Sequence, residues 1–546
     1  MIDAATLTRC RHRVYLDTAY RSLIADVPED TGVQMRREAA AVHRLVVKDV
    51  LMAADPVGWV IVPSELSHTE RVRRTTRALE DGARYVWNAT FADDAEAGRR
   101  GRCDLLIADP AGGYIPVLVV NHKVTDPGSG AVTSPFGRWE PGVDVARKVR
   151  PQLRDQLGAV HVHRLLASLG QDGRSAVGGA IGFGGDVILV HDLLAVGPTY
   201  DARFADRLAI ARGEAVTAPV KVSECRSCPW WSECGEMLRR TRDVSLVAAG
   251  SRADALYAAG IRTIDELAAW TSDAPPEEWP HGDFAEAVVV AQAWVAQAPL
   301  VRRTETVAVQ RADVEVDVDM ESYQEHGAYM WGTLLDRRDG SAPRYRAFTT
   351  WEPVPTMDEA RSFAEFWTWL MGVRAEAHAS ERTFAAYCYS RAAEDKWLIG
   401  SARRFAGMDG VPTEAQVREF IDGPEWVDMY IAVSENFVCP EGKGLKKVAP
   451  VAGFTWRDDE AGGEASMAWY RAAVGYDDAA GADLASDPVA SDSAVSDPAT
   501  TDLSQRERLL EYNEDDVRAT HALRVWMAGE DVLRLPTAAD LARAYR

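Results

Sequence analysis

The sequence predicts an α/β protein of about three domains, and three observations point there. The chain has 546 residues, and roughly 100–200 residues make one domain. Short apolar runs alternate with stretches of helical apolar spacing over 1–240 and again over 301–475. Hydrophobic residues are 47% and charged residues 26%, an ordinary globular mix that excludes wholesale disorder, a collagen and a low-complexity scaffold. No stretch approaches the ~18 unbroken apolar residues of a membrane helix. Met1 to Thr6 lack the basic region and apolar core that open a secretory signal. A cytoplasmic protein with no membrane partner is therefore expected.

Residues 1–240 begin with helical spacing at Val42, Leu45, Val46 and Leu51. Strands are expected at Leu105–Ile107, Val117–Val120 and Val187–Val190, with a helix over Gln156–Leu169 between the last two. The glycines of 178–185 suggest entry into a hairpin and match no phosphate-binding loop. Residues 243–300 read as a small all-helical domain. Residues 301–546 form the third, broken by an acidic insertion at 477–504 whose Asp, Ala, Ser and Pro cannot bury a core. A last helix resumes near Arg506.

Charge is unevenly placed. The total is −22, yet residues 1–250 hold 32 basic and 31 acidic side chains, so the rest carries −23. An acidic balance disfavours nucleic acid in general. A metal-dependent nuclease is the exception, because it gathers carboxylates at its site.

Seven cysteines in a chain of this size exclude a disulfide framework and fit a reducing compartment. Cys225, Cys228 and Cys234 stand close enough for one turn to aim three thiolates at one ion or cluster. Cys10 is the candidate fourth ligand. Zinc and an iron–sulfur cluster both take four thiolates, and spacing does not separate them. A ligand so distant would staple the chain start to the domain end. Cys103, Cys388 and Cys439 read as small buried hydrophobes.

The stretch Cys10-Arg11-His12-Arg13-Val14-Tyr15-Leu16-Asp17, paired with the late Cys-x2-Cys-x5-Cys, resembles the RecB-like iron–sulfur exonucleases. The resemblance implies a 4Fe-4S cluster clamping a PD-(D/E)xK, restriction-endonuclease-like fold over 1–240. It also implies a metal-dependent nuclease site there. His43 and Asp104, after Gly101-Arg102, would be ligands; Lys123 would orient water or steady developing charge; Gln156 would position nucleic acid or water. Asn121 departs from the family, which has an acid two residues before the Lys. An Asn carbonyl can ligate a hard cation without adding charge, so metal affinity should fall. Next to it, alternation turns His122 to the opposite strand face.

Ala255 to Ala268, with Gly260-Ile261 at its turn, resembles the second half of a helix-hairpin-helix, as a DNA-binding element or a spacer.

Val316-Asp317-Val318-Asp319-Met320-Glu321 reads as a strand, and period two puts its three acids on one face. Mutual repulsion there would be relieved by a cation; a solvated edge strand is the bland alternative. Ala328–Gly332 fits the second strand of a hairpin. With Tyr389–Glu394, Glu425–Asp428, Gly444–Ala449 and Tyr512–Val517, the order resembles the RNase H-like DEDD exonuclease domain of the YprB type. The resemblance implies two Mg²⁺ or Mn²⁺ ions held by Asp319, Glu321, Glu394 and Asp516, with Tyr512 orienting the attacking water. Asp428 and Lys446 match its pattern. Register leaves Asp317 and Asp319 interchangeable as first ligand.

Together the halves resemble a bacterial RecB-like nuclease family. What this implies is a 3′–5′ exonuclease, on DNA rather than RNA, with chemistry in the C-terminal domain and the N-terminal domain binding or weakly cutting DNA. A nucleic-acid-binding or repair-complex protein with decayed sites, or an RNA-processing exonuclease, are the alternatives. No Gly-x4-Gly-Lys-Ser/Thr loop is present, so ATP-driven unwinding would fall to a helicase or repair partner.

Overall fold

The apolar run Leu105-Leu106-Ile107 is continuous because its strand is covered on both faces. Leu106 packs with Val86, Val162 and Leu165; Leu105 and Ile107 pack with Val47, Leu51 and Val117 on the other side. The computed structural model describes residues 1–24, 31–272, 274–280, 282–460, 462–475 and 501–545. The chain divides into two compact units, Met1–Met237 and Leu238–Arg546. Residues 243–300 belong to the second. Among the described residues no helix is long and apolar enough to cross a membrane.

The first unit runs α1 (Arg11–Ala19), α2 (Thr31–Ala54), β1 (Trp59–Ile61), α3 (His68–Glu80), β2 (Tyr85–Thr90), β3 (Arg102–Ala108), β4 (Tyr114–Val119), β5 (Thr125–Pro127), β6 (Ala131–Pro135), β7 (Gly142–Asp144), β8 (Arg147–Val149), α4 (Leu153–Ser168), β9 (Val177–Ile181), β10 (Val187–Asp192), α5 (Leu193–Ala211) and α6 (Trp231–Arg240). Eight strands form one mixed sheet in the order β1-β2-β3-β4-β9-β10-β6-β7. β3 and β4, the strands expected at Leu105–Ile107 and Val117–Val120, pair antiparallel, with Leu105 opposite Val117. β9 and β10 form the hairpin that the glycines signalled. In α2 the buried stripe is Val47 and Leu51, whereas Leu45 is 53% exposed. Of the expected apolar positions Leu51 is buried and Val42 and Val46 are half-buried, and Leu45 alone faces outward.

The second unit opens with α7 (Ser251–Ala258), α8 (Ile264–Ala268) and α9 (Phe284–Val295), packed around Leu256, Ile264, Leu267 and Phe284. Gly260 takes a positive φ after α7, and Thr263 caps α8 in a capping box with Glu266. There follow β11 (Val301–Arg302), β12 (Val314–Tyr323), β13 (Gly327–Asp336), β14 (Arg344–Thr349), α10 (Asp358–Ala379), β15 (Phe384–Cys388), α11 (Ala392–Arg404), α12 (Glu414–Ile421), β16 (Trp426–Asp428), α13 (Met429–Asn436), β17 (Phe437–Val438), α14 (Leu445–Val448), α15 (Gly463–Val474), α16 (Leu503–Met527) and α17 (Ala538–Arg543). Residues 476–500, most of the insertion expected at 477–504, lie outside the described residues; Leu503 and Ser504 already belong to α16.

The main sheet has the order β14-β13-β12-β15-β16, antiparallel as far as β12 and parallel beyond it. β12 is thus central, not an edge. Its Val314, Val316, Val318 and Met320 pack with Trp331, Phe363 and Phe366 against α10. Its other face carries Glu315, Asp317, Asp319 and Glu321, covered by α16. Four carboxylates on one covered face demand compensation.

Candidate functional site

α16 compensates only half of that face. Arg524, fully buried, holds Asp317 with two nitrogens, Nη2 to Oδ2 at 2.9 Å, and donates from Nε to Glu315 Oε2 at 3.2 Å. Asp317 is therefore committed to an ion pair, and the reading that makes it the first metal ligand is corrected. Two turns earlier on the same helix stands Asp516. A two-turn separation of about 12 Å places it against the far half of β12.

There Asp319, Glu321 and Asp516 converge. Their ligand oxygens all lie within 4.8 Å of one another. Among the described residues no other three His, Cys, Asp or Glu side chains are drawn so close. Each carboxylate has one oxygen held by its own donor. Asn513 Nδ2 donates to Asp319 Oδ2 at 2.8 Å, Ser466 Oγ to Glu321 Oε2 at 3.1 Å, and Trp456 Nε1 to Asp516 Oδ1 at 2.6 Å. Tyr345 in turn donates to Asn513 Oδ1 at 2.8 Å. Lys446 Nζ donates to the Tyr512 hydroxyl at 3.2 Å.

Burial, then the neighbouring charges, dominates the electrostatics. Glu321 is pushed up to about 8 by burial and by Asp516. Asp319 is raised by burial and by Asp516, Glu321 and Glu394. Asp516 is raised by burial, against the pull of Lys446. Burial and the three acids push Tyr512 up, so it stays a neutral phenol.

Glu394, in the first turn of α11, is pushed up to about 8 by burial, with Asp428, Asp395 and Glu321 adding to it. Its Oε2 is buried without a hydrogen-bond partner. Asp428 instead accepts from the backbone of Ser390, Arg391 and Tyr430 and is spent as a cap. An all-oxygen, mutually repelling, buried donor set with an orphaned carboxyl oxygen beside it fits hard divalent cations.

These shifts carry a pH signature. Glu321 keeps its proton up to about pH 8 in the folded, metal-free state, whereas an unfolded chain sheds it near its ordinary value of about 4.3. Its stabilisation is full below that value and is lost as pH rises toward 8. Glu321→Gln is expected to raise the Tm in chelator, with a gain over wild type that grows from pH 5 to pH 8. A gain independent of pH would contradict the assignment.

Gly332 faces Asp319 across β12 and β13. A Cβ there would meet Asn513 Oδ1 at 1.5 Å. The helix approaches so closely that only hydrogen fits, and Asn513 is what links that helix to Asp319. Gly332→Ala should cost about 1–3 kcal/mol by overpacking, measured by urea unfolding.

The first unit is less convergent. Asp104 sits half-buried on β3, its pKa raised by desolvation, accepting from Val119 N at 2.9 Å with Arg44 at 3.5 Å. His43 on α2 stacks on Phe183 at 5.8 Å, and burial lowers its pKa. His43 and Asp104 join no group of three close ligands. Asn121 and Lys123 lie beyond the end of β4, where strand alternation no longer applies. The Asn121 Oδ1 is buried without a partner, and Lys123 is exposed. Gln156 is half-buried on α4. His122 reaches Asp155 of that helix at 2.9 Å.

Cys10, Cys225, Cys228 and Cys234 line one pocket with Trp230 and Trp231. Burial raises Cys225, Cys228 and Cys234, and the neighbouring sulfurs add to it. Among the described residues the four cysteines are not part of a close group of metal-ligand atoms. Zinc with Zn–S of about 2.3 Å in a tetrahedron would draw them to about 3.8 Å. Glu224 ties the chain start to this loop, accepting from Cys10 N at 2.6 Å and from Arg13 at 2.7 Å. Trp230 Nε1 donates to Asp17 at 2.8 Å. Of the remaining cysteines, Cys103 and Cys388 are buried and Cys439 is half-buried.

Sequence reasoning missed Trp456, Asn513 and Ser466, the donors behind the acids. Residues 405–528 match the RNase_H_2 family model, of the RNase_H superfamily. That stretch contains Lys446, Trp456, Tyr512, Asn513 and Asp516, and begins after β12 and Glu394. No curated protein and no solved structure matches the chain. The match supports a nuclease-type activity in general for the C-terminal part.

Proposed function

We propose that the protein is a divalent-metal-dependent nuclease, a 3′–5′ exonuclease on DNA, with its chemistry in the second unit. One observation carries the reading: Asp319, Glu321 and Asp516 offer oxygens within 4.8 Å of one another. These three, with Glu394 beside them, would hold Mg²⁺ or Mn²⁺. Such ions supply Lewis acidity and neutralise charge on the phosphodiester. The chain's own contribution is positioning. Lys446 donates to the Tyr512 oxygen, and the phenol is itself hydrogen-bonded to Asp516, so the hydroxyl is held beside the acids, where it would orient a water. The ammonium stands by to meet charge developing on the phosphate. The first unit, with His43, Asp104, Asn121, Lys123 and Gln156, binds DNA or cuts it weakly. A helicase or repair partner supplies unwinding, and the seven free thiols suit the cytoplasm.

Asn121 and the −22 charge favour a second reading, a nucleic-acid-binding or complex-assembly protein with decayed sites. The deciding experiment is degradation of end-labelled single- and double-stranded DNA, beside an RNA oligonucleotide, with Mg²⁺ or Mn²⁺. Shortening from the 3′ end that survives Asp104→Ala supports the first reading. Loss of cutting in Asp104→Ala moves the chemistry to the first unit, and cutting of RNA alone changes the substrate. Binding without cutting favours the second reading.

The four thiols are proposed to hold a 4Fe-4S cluster, a reading supported by the one pocket they share and by the resemblance of their spacing to the iron–sulfur exonucleases. Protein purified without oxygen should carry about four iron atoms per chain and absorb visible light, and Cys225→Ser should lose both. One colourless zinc per chain would overturn the cluster.

A further inference from the structure

Trp456 spends its indole N–H on a carboxylate of the acid trio. Nε1 donates to Asp516 Oδ1 at 2.6 Å. The ring is only half-buried, edge-on to Phe454 at 5.0 Å, with Lys446 Nζ 5.7 Å from its centroid. Core packing therefore does not account for its place. The residues that follow it do. Arg457 donates its backbone N–H to Asp515 Oδ2 at 2.8 Å and its guanidinium to Glu511 O at 2.8 Å. Asp458 and Glu460 both accept from Arg508, the latter at 2.8 Å. Arg508, Glu511, Asp515 and Asp516 recur at the spacing of one helix face. A strap over 456–460 is thus latched along α16 and delivers the indole to Asp516.

Asp516 offers an oxygen to the group it forms with Asp319 and Glu321, and the indole N–H is one of the two side-chain donors that hold its carboxylate, Tyr512 being the other. Those two acids are held in the same way, each accepting from a side-chain donor, Asn513 and Ser466. We infer that Trp456 is a positioning residue, its indole N–H fixing the orientation in which Asp516 meets a divalent cation. The inference rests on the nuclease reading above. Donors behind a ligating carboxylate are typically worth 10–100-fold in metal affinity.

The test is Mn²⁺ titration calorimetry on the full-length chain, comparing wild type with Trp456→Phe and Trp456→His. Phe keeps a ring of similar shape and loses the donor; His keeps a ring N–H. Trp456→Phe should bind Mn²⁺ roughly 10- to 100-fold more weakly, with an unchanged Tm in chelator, and Trp456→His should bind more tightly than Phe. Wild-type affinity in Trp456→Phe overturns the inference, as does tighter binding, which would make the indole a competitor of the ion. His binding no better than Phe overturns it as well. Absence of Mn²⁺ binding in wild type overturns the nuclease reading itself and the inference with it, an outcome distinct from an unchanged variant.

Discussion

Asp516→Asn should reduce metal-dependent cutting by roughly a thousandfold or more. The substitution preserves size and leaves an oxygen to accept from Trp456, so it removes one charge with little else. That charge is one of three aimed at the proposed cations. Ion-mediated stabilisation of a phosphoryl transition state is worth several kcal/mol. Losing about 4 kcal/mol of it is about a thousandfold at 1.36 kcal/mol per decade. Single-turnover degradation of end-labelled DNA reads the effect. A variant that cuts within tenfold of wild type would remove the acid trio from the chemistry. The same variant should be no less stable than wild type in chelator, because it relieves repulsion on Asp319 and Glu321.

Arg524→Met should destabilise the second unit by about 3–5 kcal/mol, the usual cost of stranding a buried charge. Arg524, Asp317 and Glu315 all have 0% side-chain exposure. Removing the cation leaves two carboxylates in the interior, of which Glu315 keeps Arg311 and the backbone of Ala312. Adding Asp317→Leu should therefore recover most of the loss, since an apolar replacement of the whole pair is often neutral. Urea unfolding measures both. A single variant costing under about 1 kcal/mol would mean that water reaches the pair. Arg524→Met isolates the structural half of β12 from the chemical half, because Asp516 remains in place.

The alternation of β12, the two hairpins and the long last helix were legible because each depends on local periodicity. Tyr512 and Asp516 fall on one helix, so their proximity was legible too. The choice between Asp317 and Asp319 was not. It is made by Arg524, 207 residues away, whose register against β12 is a tertiary fact. The donors Asn513, Ser466 and Trp456 were hidden for the same reason, although Asn513 adjoins Tyr512 and a polar residue inside that motif was a usable signal. In α2 the expected Leu51 does reach the sheet, together with Val47, while Leu45 faces outward although leucine is apolar. At Asn121 and His122, strand alternation failed because β4 ends at Val119. Whether Asn121 leaves the first unit inert is a matter of charge, which the Mg²⁺ and Mn²⁺ dependence of Asp104→Ala addresses.

The bond from Glu224 to Cys10 bears on how the chain start is held. That carboxylate, with Arg13 and with Trp230 bound to Asp17, ties α1 to the cysteine loop by hydrogen bonds and an ion pair. None of these contacts runs through a thiol sulfur, so the joining of the two segments does not depend on what the cysteines hold.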